Sequence, residues 1–135
     1  MTKAACLIAV VLALFTSVVF AQLSREAAIA RAERVLKNFQ DGNAADIVKE
    51  LDARMSKELT EDKVKAAWAG VTAQAGAFKG ITERRVGQVK DRQAVELFLA
   101  FEKETILQRT VFDGDGRIAG LVFRPPSGSL LPGEK

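Results

Sequence analysis

The period of the hydrophobic pattern changes once along this chain, close to Gly80, and that change restricts the folds open to it. Before this glycine, apolar residues recur at spacings of three and four, which predicts helices over residues 24–39, 44–51 and 60–75. After it they alternate with polar residues, which predicts strands over 81–90, 93–102, 105–112 and 117–124. Helices first and strands last predict an α+β fold with helices on one face of an antiparallel sheet of about four strands.

Residues 1–21 differ in composition from the rest of the chain. Lys3 precedes an uncharged apolar run over 4–20, and Val19-Phe20-Ala21 supplies small residues at its end. This pattern predicts a signal peptide cleaved after Ala21, and hence a secreted or periplasmic protein. An uncleaved anchor is the alternative, and membrane contact is expected only in that case. Cleavage would leave a chain without cysteine, which is more typical of bacterial export than of animal secretion.

Residue types that are missing exclude several kinds of chemistry. The chain has no His and no Tyr, and its one Cys is Cys6. A histidine base, a Ser-His-Asp triad, a thiolate in the folded domain and a His/Cys zinc site are therefore excluded. Asp113-x-Asp115-Gly116 resembles part of a calcium loop, but position twelve from Asp113 is Arg124 instead of the required Glu. We expect no metal and no cofactor.

The charges are mixed along the sequence. Twenty Lys and Arg against seventeen Asp and Glu give a net charge of +3, and Arg84-Arg85 is the only adjacent basic pair. Phosphate binding requires basic residues clustered on one face, so no nucleic-acid partner is expected.

The second face of the predicted sheet is half apolar. Taking Phe101 opposite Ile106 and Phe112 opposite Arg117 places six apolar residues there, Ala100 and the five larger ones Phe98, Leu107, Val111, Ile118 and Val122. A solvated face should be mostly polar, so these residues predict a surface for a homodimer or a partner protein. Ordinary scatter of apolar residues on a wet face is the alternative.

Several motifs together resemble the DUF3887 family. They are Asp41-Gly42-Asn43-Ala44, Trp68 with residues 76–80, the hairpin over 111–121, and Arg124-Pro125. The resemblance covers about residues 27–125 and implies a cystatin-like, NTF2-like α+β domain of uncharacterised function, with a curved sheet that often forms dimers. Related domains often precede an α/β-hydrolase domain. We expect a standalone exported member without that domain, and no hydrolase activity is carried over.

The cone-shaped fold that the resemblance implies tends to enclose an apolar cavity. On that basis a pocket for a small apolar ligand is predicted from Trp68, Phe78, Leu97, Leu99 and Phe123. The other interpretation is that Trp68 is simply part of the core.

The expected organisation is a signal peptide over 1–21, one domain over 22–126 and a disordered tail over 127–135. The expected function is that of an exported, non-enzymatic binding module that binds itself, a partner protein or a small apolar ligand. The alternative is an enzyme of the ketosteroid-isomerase type, with a pocket carboxylate as general base. That enzyme would need a carboxylate buried on the core face, and none is found among the predicted core residues.

Overall fold

The computed structural model describes residues 22–133, in which helices precede a single sheet. The elements are α1 (Arg25–Asp41), α2 (Ala44–Glu50), α3 (Ala53–Glu58), α4 (Glu61–Ala75), β1 (Phe78–Val89), β2 (Arg92–Phe101), β3 (Thr105–Phe112), β4 (Ile118–Arg124) and a 3-10 turn (Pro126–Gly128). The strands form a curved, open antiparallel sheet in the order β1-β2-β3-β4. The α+β prediction is confirmed, whereas the predicted signal peptide lies outside the described residues.

Side-chain caps explain where the helices begin. The Ser24 hydroxyl accepts a hydrogen bond from the Ala27 amide, and the Thr60 hydroxyl accepts one from Lys63. Asp52 caps α3 in the same way through Met55 N, at 2.8 Å. No residue of α3 is buried, so this helix has no hydrophobic period and was not predicted from the sequence. Within residues 22–133, no helix is both long and apolar enough to cross a membrane.

The main core lies between the helices and one face of the sheet. Its centre consists of side chains from α1, such as Val35 and Leu36, against β2 residues such as Leu97 and Leu99. Gln108 is the polar exception on this face, and its amide donates to the Ala32 carbonyl at 3.2 Å. We call this the inner face of the sheet and the opposite one the outer face.

The pairing of β2 with β3 differs from the predicted register by two residues. Ile106 lies opposite Leu99, where Phe101 was expected. The predicted turn was Lys103-Glu104, but the chain reverses one residue earlier, at Glu102-Lys103, where the Phe101 N–H donates to the Glu104 carbonyl. Moving a two-residue turn by one position shifts the register by two. Because side chains alternate with a period of two, a two-residue shift leaves each residue on its predicted face.

A β-bulge in β4 changes the face of one predicted site residue. Val111 lies opposite Gly120, but the next residue, Phe112, lies opposite Ile118, so Ala119 is the extra residue. Ile118 consequently points to the core, where it is fully buried, and forms a bridge with Leu51. Its predicted place on the outer face is wrong, since alternation alone does not reveal a bulge.

The segment after β4 folds back over the outer face. Pro126–Gly128 form the 3-10 turn, and Leu131 is buried. The sequence predicted a disordered tail from residue 127. Up to Leu131 the structure instead shows side-chain and backbone contacts with the sheet, because strands β1 to β3 offer partners for it. We call residues 125–131 the strap.

Candidate binding surface

The strap crosses the outer face from β4 towards β1. The Gly128 carbonyl accepts a hydrogen bond from Arg109 of β3, and Leu131 lies over Gly87 of β1. A Cβ at Gly87 would lie 3.0 Å from Leu131 Cδ2, so the absence of a side chain there is what allows the strap to approach. Gly133 continues the path to Arg85.

A fully buried carboxylate, Glu96, fixes the strap to the sheet. Its Oε1 accepts from Ser129 Oγ at 2.6 Å and from Leu131 N at 3.2 Å. Its Oε2 accepts from Leu130 N at 3.0 Å and from Arg109 Nε and Nη2 at 3.0 and 2.9 Å. Each carboxylate oxygen therefore has two or more donors, which is what a buried charge requires.

The surroundings of Glu96 also set its pKa. Burial by itself would raise the pKa of Glu96, but hydrogen bonds from Ser129, Leu130, Arg109 and Leu131 outweigh burial and lower it from its ordinary value of 4.5. A general base needs an oxygen free to take a proton and a pKa near the working pH. Glu96 meets neither requirement, so its chemistry is that of an anchor for the strap.

Arg85 is a second anchor for the strap. Its Nη1 donates to Ser129 Oγ at 2.9 Å and to the Leu131 carbonyl at 3.0 Å. Its guanidinium carbon lies 4.5 Å from the centre of the Phe98 ring, a cation–π contact that covers this ring. Glu83 holds the other side of the guanidinium through two hydrogen bonds, at 2.8 and 3.1 Å.

These contacts change the surface that was predicted as a dimer face. Phe98 and Leu107 lie on the outer face as expected, but they are only 7% and 0% exposed, and Ile118 belongs to the core. Val111 and Val122 remain partly exposed. The half-apolar face is thus covered in part by the strap of the same chain. The homodimer itself stays a prediction.

The part of the outer face that the strap leaves uncovered forms a hollow of about 410 Å³, which we call the sheet hollow. Its lining residues come from β1 to β4 and from the strap: Val89, Lys90, Arg92, Arg109, Val111, Ala119, Gly120, Leu121, Val122, Arg124 and Leu130. The apolar lining includes Leu130, the one large hydrophobic residue of 22–133 that is strongly exposed, at 60%. A concave apolar surface of this kind is typical of binding sites.

The charged lining of the sheet hollow has one sign. Arg109 is neutralised by Glu96, whereas Lys90, Arg92 and Arg124 have no carboxylate within 4.0 Å among the described residues. All three are exposed. Val89 and Arg92 face each other across the turn that carries Lys90, so two of the cations lie at the same end of the hollow. This hollow therefore combines an apolar lining with excess positive charge.

The predicted ligand-pocket residues are only partly brought together. Trp68 packs against Phe78 and Phe123, with ring centres 6.5 and 6.0 Å apart, while Leu97 and Leu99 are fully buried behind them. The three rings border three different surface hollows. Trp68 and Phe39 border one of about 330 Å³ between α1, α2 and α4, which we call the helix hollow.

The acidic turn between β3 and β4 has a structural explanation. Asp113 Oδ1 accepts hydrogen bonds from the amides of Asp115 and Arg117, each at 2.9 Å, so the carboxylate stabilises the turn. Among residues 22–133, no three Cys, Asp or Glu side chains lie close enough to hold a metal ion.

Sequence reasoning missed Glu96 and the strap. Glu96 lies two residues before Phe98 and so shares the outer face with it, where alternation alone would leave its carboxylate in solvent. The structure pairs it with Arg109 of the same chain. A row of alternating charges on adjacent strands could have indicated this pair, because Arg85, Glu96 and Arg109 lie side by side across β1, β2 and β3.

Comparison with known proteins gives one match. The family model described as "Protein of unknown function (DUF3887)" matches residues 32–121. No curated protein matches the chain, and no solved structure matches it. The NTF2-like comparison and the absence of a hydrolase partner domain remain predictions.

Proposed function

We propose that this chain, which belongs to the DUF3887 family, is an exported, non-enzymatic binding module whose binding surface is the sheet hollow. The observation that carries the proposal is the exposed apolar lining of the hollow, which includes Leu130 of the strap, 60% exposed. Exposing such a side chain in water is unfavourable, and a ligand that covers it recovers that free energy.

The strap supports this proposal because it gives the hollow a fixed wall. Leu130 is held through its amide by Glu96, and its neighbour Leu131 is buried. Apolar side chains on a wall held in this way need little ordering when a ligand binds, which favours affinity. Export rests on the predicted signal peptide.

A second copy of the chain suits this surface less well. An isologous dimer brings the same surface of both protomers together, so the positive surface of Lys90, Arg92 and Arg124 would face the same positive surface of the partner. Like charges across an interface oppose association. The homodimer predicted from the sequence is therefore the alternative occupant, and sedimentation distinguishes it from a ligand.

The test uses Nile red, an uncharged dye that fluoresces in apolar sites, and compares two variants that each add one carboxylate. Leu130→Asp changes the sheet hollow, and Ala69→Asp is its matched control in the helix hollow. We expect the parent protein to enhance the dye's fluorescence, Leu130→Asp to abolish the enhancement, and Ala69→Asp to keep it. The reverse pattern would place binding at the helix hollow and overturn the proposal.

Sedimentation of the same proteins tests the second copy as occupant. We expect a monomer at high micromolar concentration. A dimer that Val111→Glu converts to a folded monomer would mean that another copy of the chain fills the hollow, and would refute a ligand there.

A further inference from the structure

We infer that the occupant of the sheet hollow is an anionic amphiphile with a single alkyl chain, such as a fatty acid, bound as one molecule. This inference rests on the proposed function and adds the chemical class of the ligand. It follows from the charge of the hollow, from its shape and from the position of two cations, Lys90 and Arg92, at one end of it.

The charge of the hollow selects an anion. Its lining contains four cationic side chains, Lys90, Arg92, Arg109 and Arg124, and no acidic one. Glu96 compensates Arg109 from beneath, which leaves the other three cations with no carboxylate within ion-pair distance among residues 22–133. A cationic ligand would be repelled by these side chains, and a neutral ligand would gain no electrostatic attraction from them.

The position of the cations assigns the head group to one end. Lys90 and Asp91 form the turn between β1 and β2 with positive φ angles of 49° and 65°, and Arg92 follows directly. Asp91 is exposed and does not line the hollow, so a carboxylate head group beside Lys90 and Arg92 would leave the alkyl chain to run over Val111 and Val122. The hollow reaches from β1 to β4, three strand spacings or about 14 Å.

The shape of the hollow favours a single molecule over a membrane surface. Val111 and Val122 line the hollow and are only partly exposed, so a flat bilayer would reach them less readily than it would reach the exposed Leu130. A separate alkyl chain can enter the concavity and cover both valines.

The test is titration calorimetry of the exported protein with dodecanoate below its micelle concentration, together with amide chemical-shift mapping. We expect binding whose shifts centre on Val89, Val111 and Leu130. Binding should weaken about fourfold for each methylene removed from the acid, because each buried methylene contributes that factor. Added salt should also weaken it.

The charge requirement is tested by the double variant Lys90→Gln/Arg92→Gln. We expect it to weaken dodecanoate binding by about tenfold, since two exposed ion pairs are lost. Lys57→Gln/Lys103→Gln is the matched control, because it removes the same charge from exposed residues outside the hollow. The control should bind like the parent protein.

The possible results separate this inference from the proposed function. If uncharged dodecyl maltoside or cationic dodecyltrimethylammonium binds the hollow as tightly as dodecanoate, the anion is wrong but the binding surface stands. If vesicles containing anionic lipid bind and dodecanoate does not, a membrane replaces the single molecule. If dodecanoate does not bind, or changes only the amide chemical shifts of residues in the helix hollow, the inference is refuted. If the parent protein also fails to enhance Nile red fluorescence, the proposed function is refuted too.

Discussion

Replacing the buried carboxylate of Glu96 by its neutral isostere should loosen the strap and destabilise the domain. Glu96→Gln keeps the shape of the side chain but removes the counter-ion of Arg109, whose side chain is only 11% exposed. An amide can also no longer accept at both positions, so some of the bonds from Ser129, Leu130, Leu131 and Arg109 are lost.

The loss of stability in Glu96→Gln depends on whether the strap stays bound to the sheet or is released. Leaving one charge of a buried pair without its partner costs about 3–5 kcal/mol. If the strap is released in the variant, water reaches Arg109 and this cost becomes smaller. Release exposes Leu131, however, and so loses the roughly 2 kcal/mol that its burial contributes. We therefore expect the free energy of unfolding to fall by about 3 kcal/mol.

Two measurements at pH 7 check this expectation. Urea denaturation gives the free energy of unfolding, and hydrogen exchange reports the Leu130 and Leu131 amides, which donate to Glu96. Glu102→Gln is the control in the turn directly after the same strand, since Glu102 is exposed and its carboxylate comes no closer than 3.9 Å to the Lys79 ammonium. That control should change stability by less than about 0.5 kcal/mol. A Glu96→Gln protein with parent-like stability and slow exchange at both amides would refute the anchoring role.

The pKa of Glu96 gives this prediction a pH dependence. Because the folded-state pKa lies below the ordinary value of 4.5, the carboxylate stabilises the fold above that pH. This contribution is lost as the pH falls through the lowered pKa. The stability difference between parent and Glu96→Gln should therefore be constant near neutral pH and should shrink in acid below 4.5. A difference that grows on acidification would contradict the direction of the shift.

Three further predictions concern other parts of the chain. Trp68→Ala should lower the free energy of unfolding by about 3 kcal/mol in urea denaturation, because the ring contacts Phe39 and Phe101, each at 5.8 Å; a change below 1 kcal/mol would contradict this. Removal of residues 125–135 should uncover Phe98 and produce concentration-dependent self-association in sedimentation, and a monomer would count against the strap as a cover. N-terminal sequencing of the exported protein should begin at Gln22, and an intact Met1 would refute cleavage.

The fold was largely predictable because each element carries a local signal. The helical spacing before Gly80 and the alternation after it depend only on neighbouring residues. The two-residue error in the register of β2 and β3 did no harm to the assignment of faces, since the side-chain period is also two. The bulge at Ala119 was different, because a one-residue insertion reverses the face of Ile118 and leaves no mark on the alternation.

The candidate site was less predictable because it depends on contacts between distant residues. Glu96 is a charged residue in a strand, which locally indicates a solvent-facing position. Its burial comes from Ser129, Leu130 and Leu131, which follow it by 33 to 35 residues. The strap in turn looks like a Ser/Gly/Pro-rich tail, and its polar groups find their partners on the sheet in Arg85, Glu96 and Arg109, which lie on three different strands.

The strap also changes what the half-apolar outer face can do. Without it, Phe98 and Leu107 would join Val111 and Val122 in a broad apolar patch, which suits a protein interface. With the strap in place, Phe98 and Leu107 are buried and the remaining apolar surface lies in a hollow of about 410 Å³. A protein–protein interface normally buries about 800 Å² on each partner and extends over a broad surface, whereas this apolar lining is confined to one hollow. The same apolar residues that suggested a dimer from the sequence therefore favour a small ligand once the strap is included.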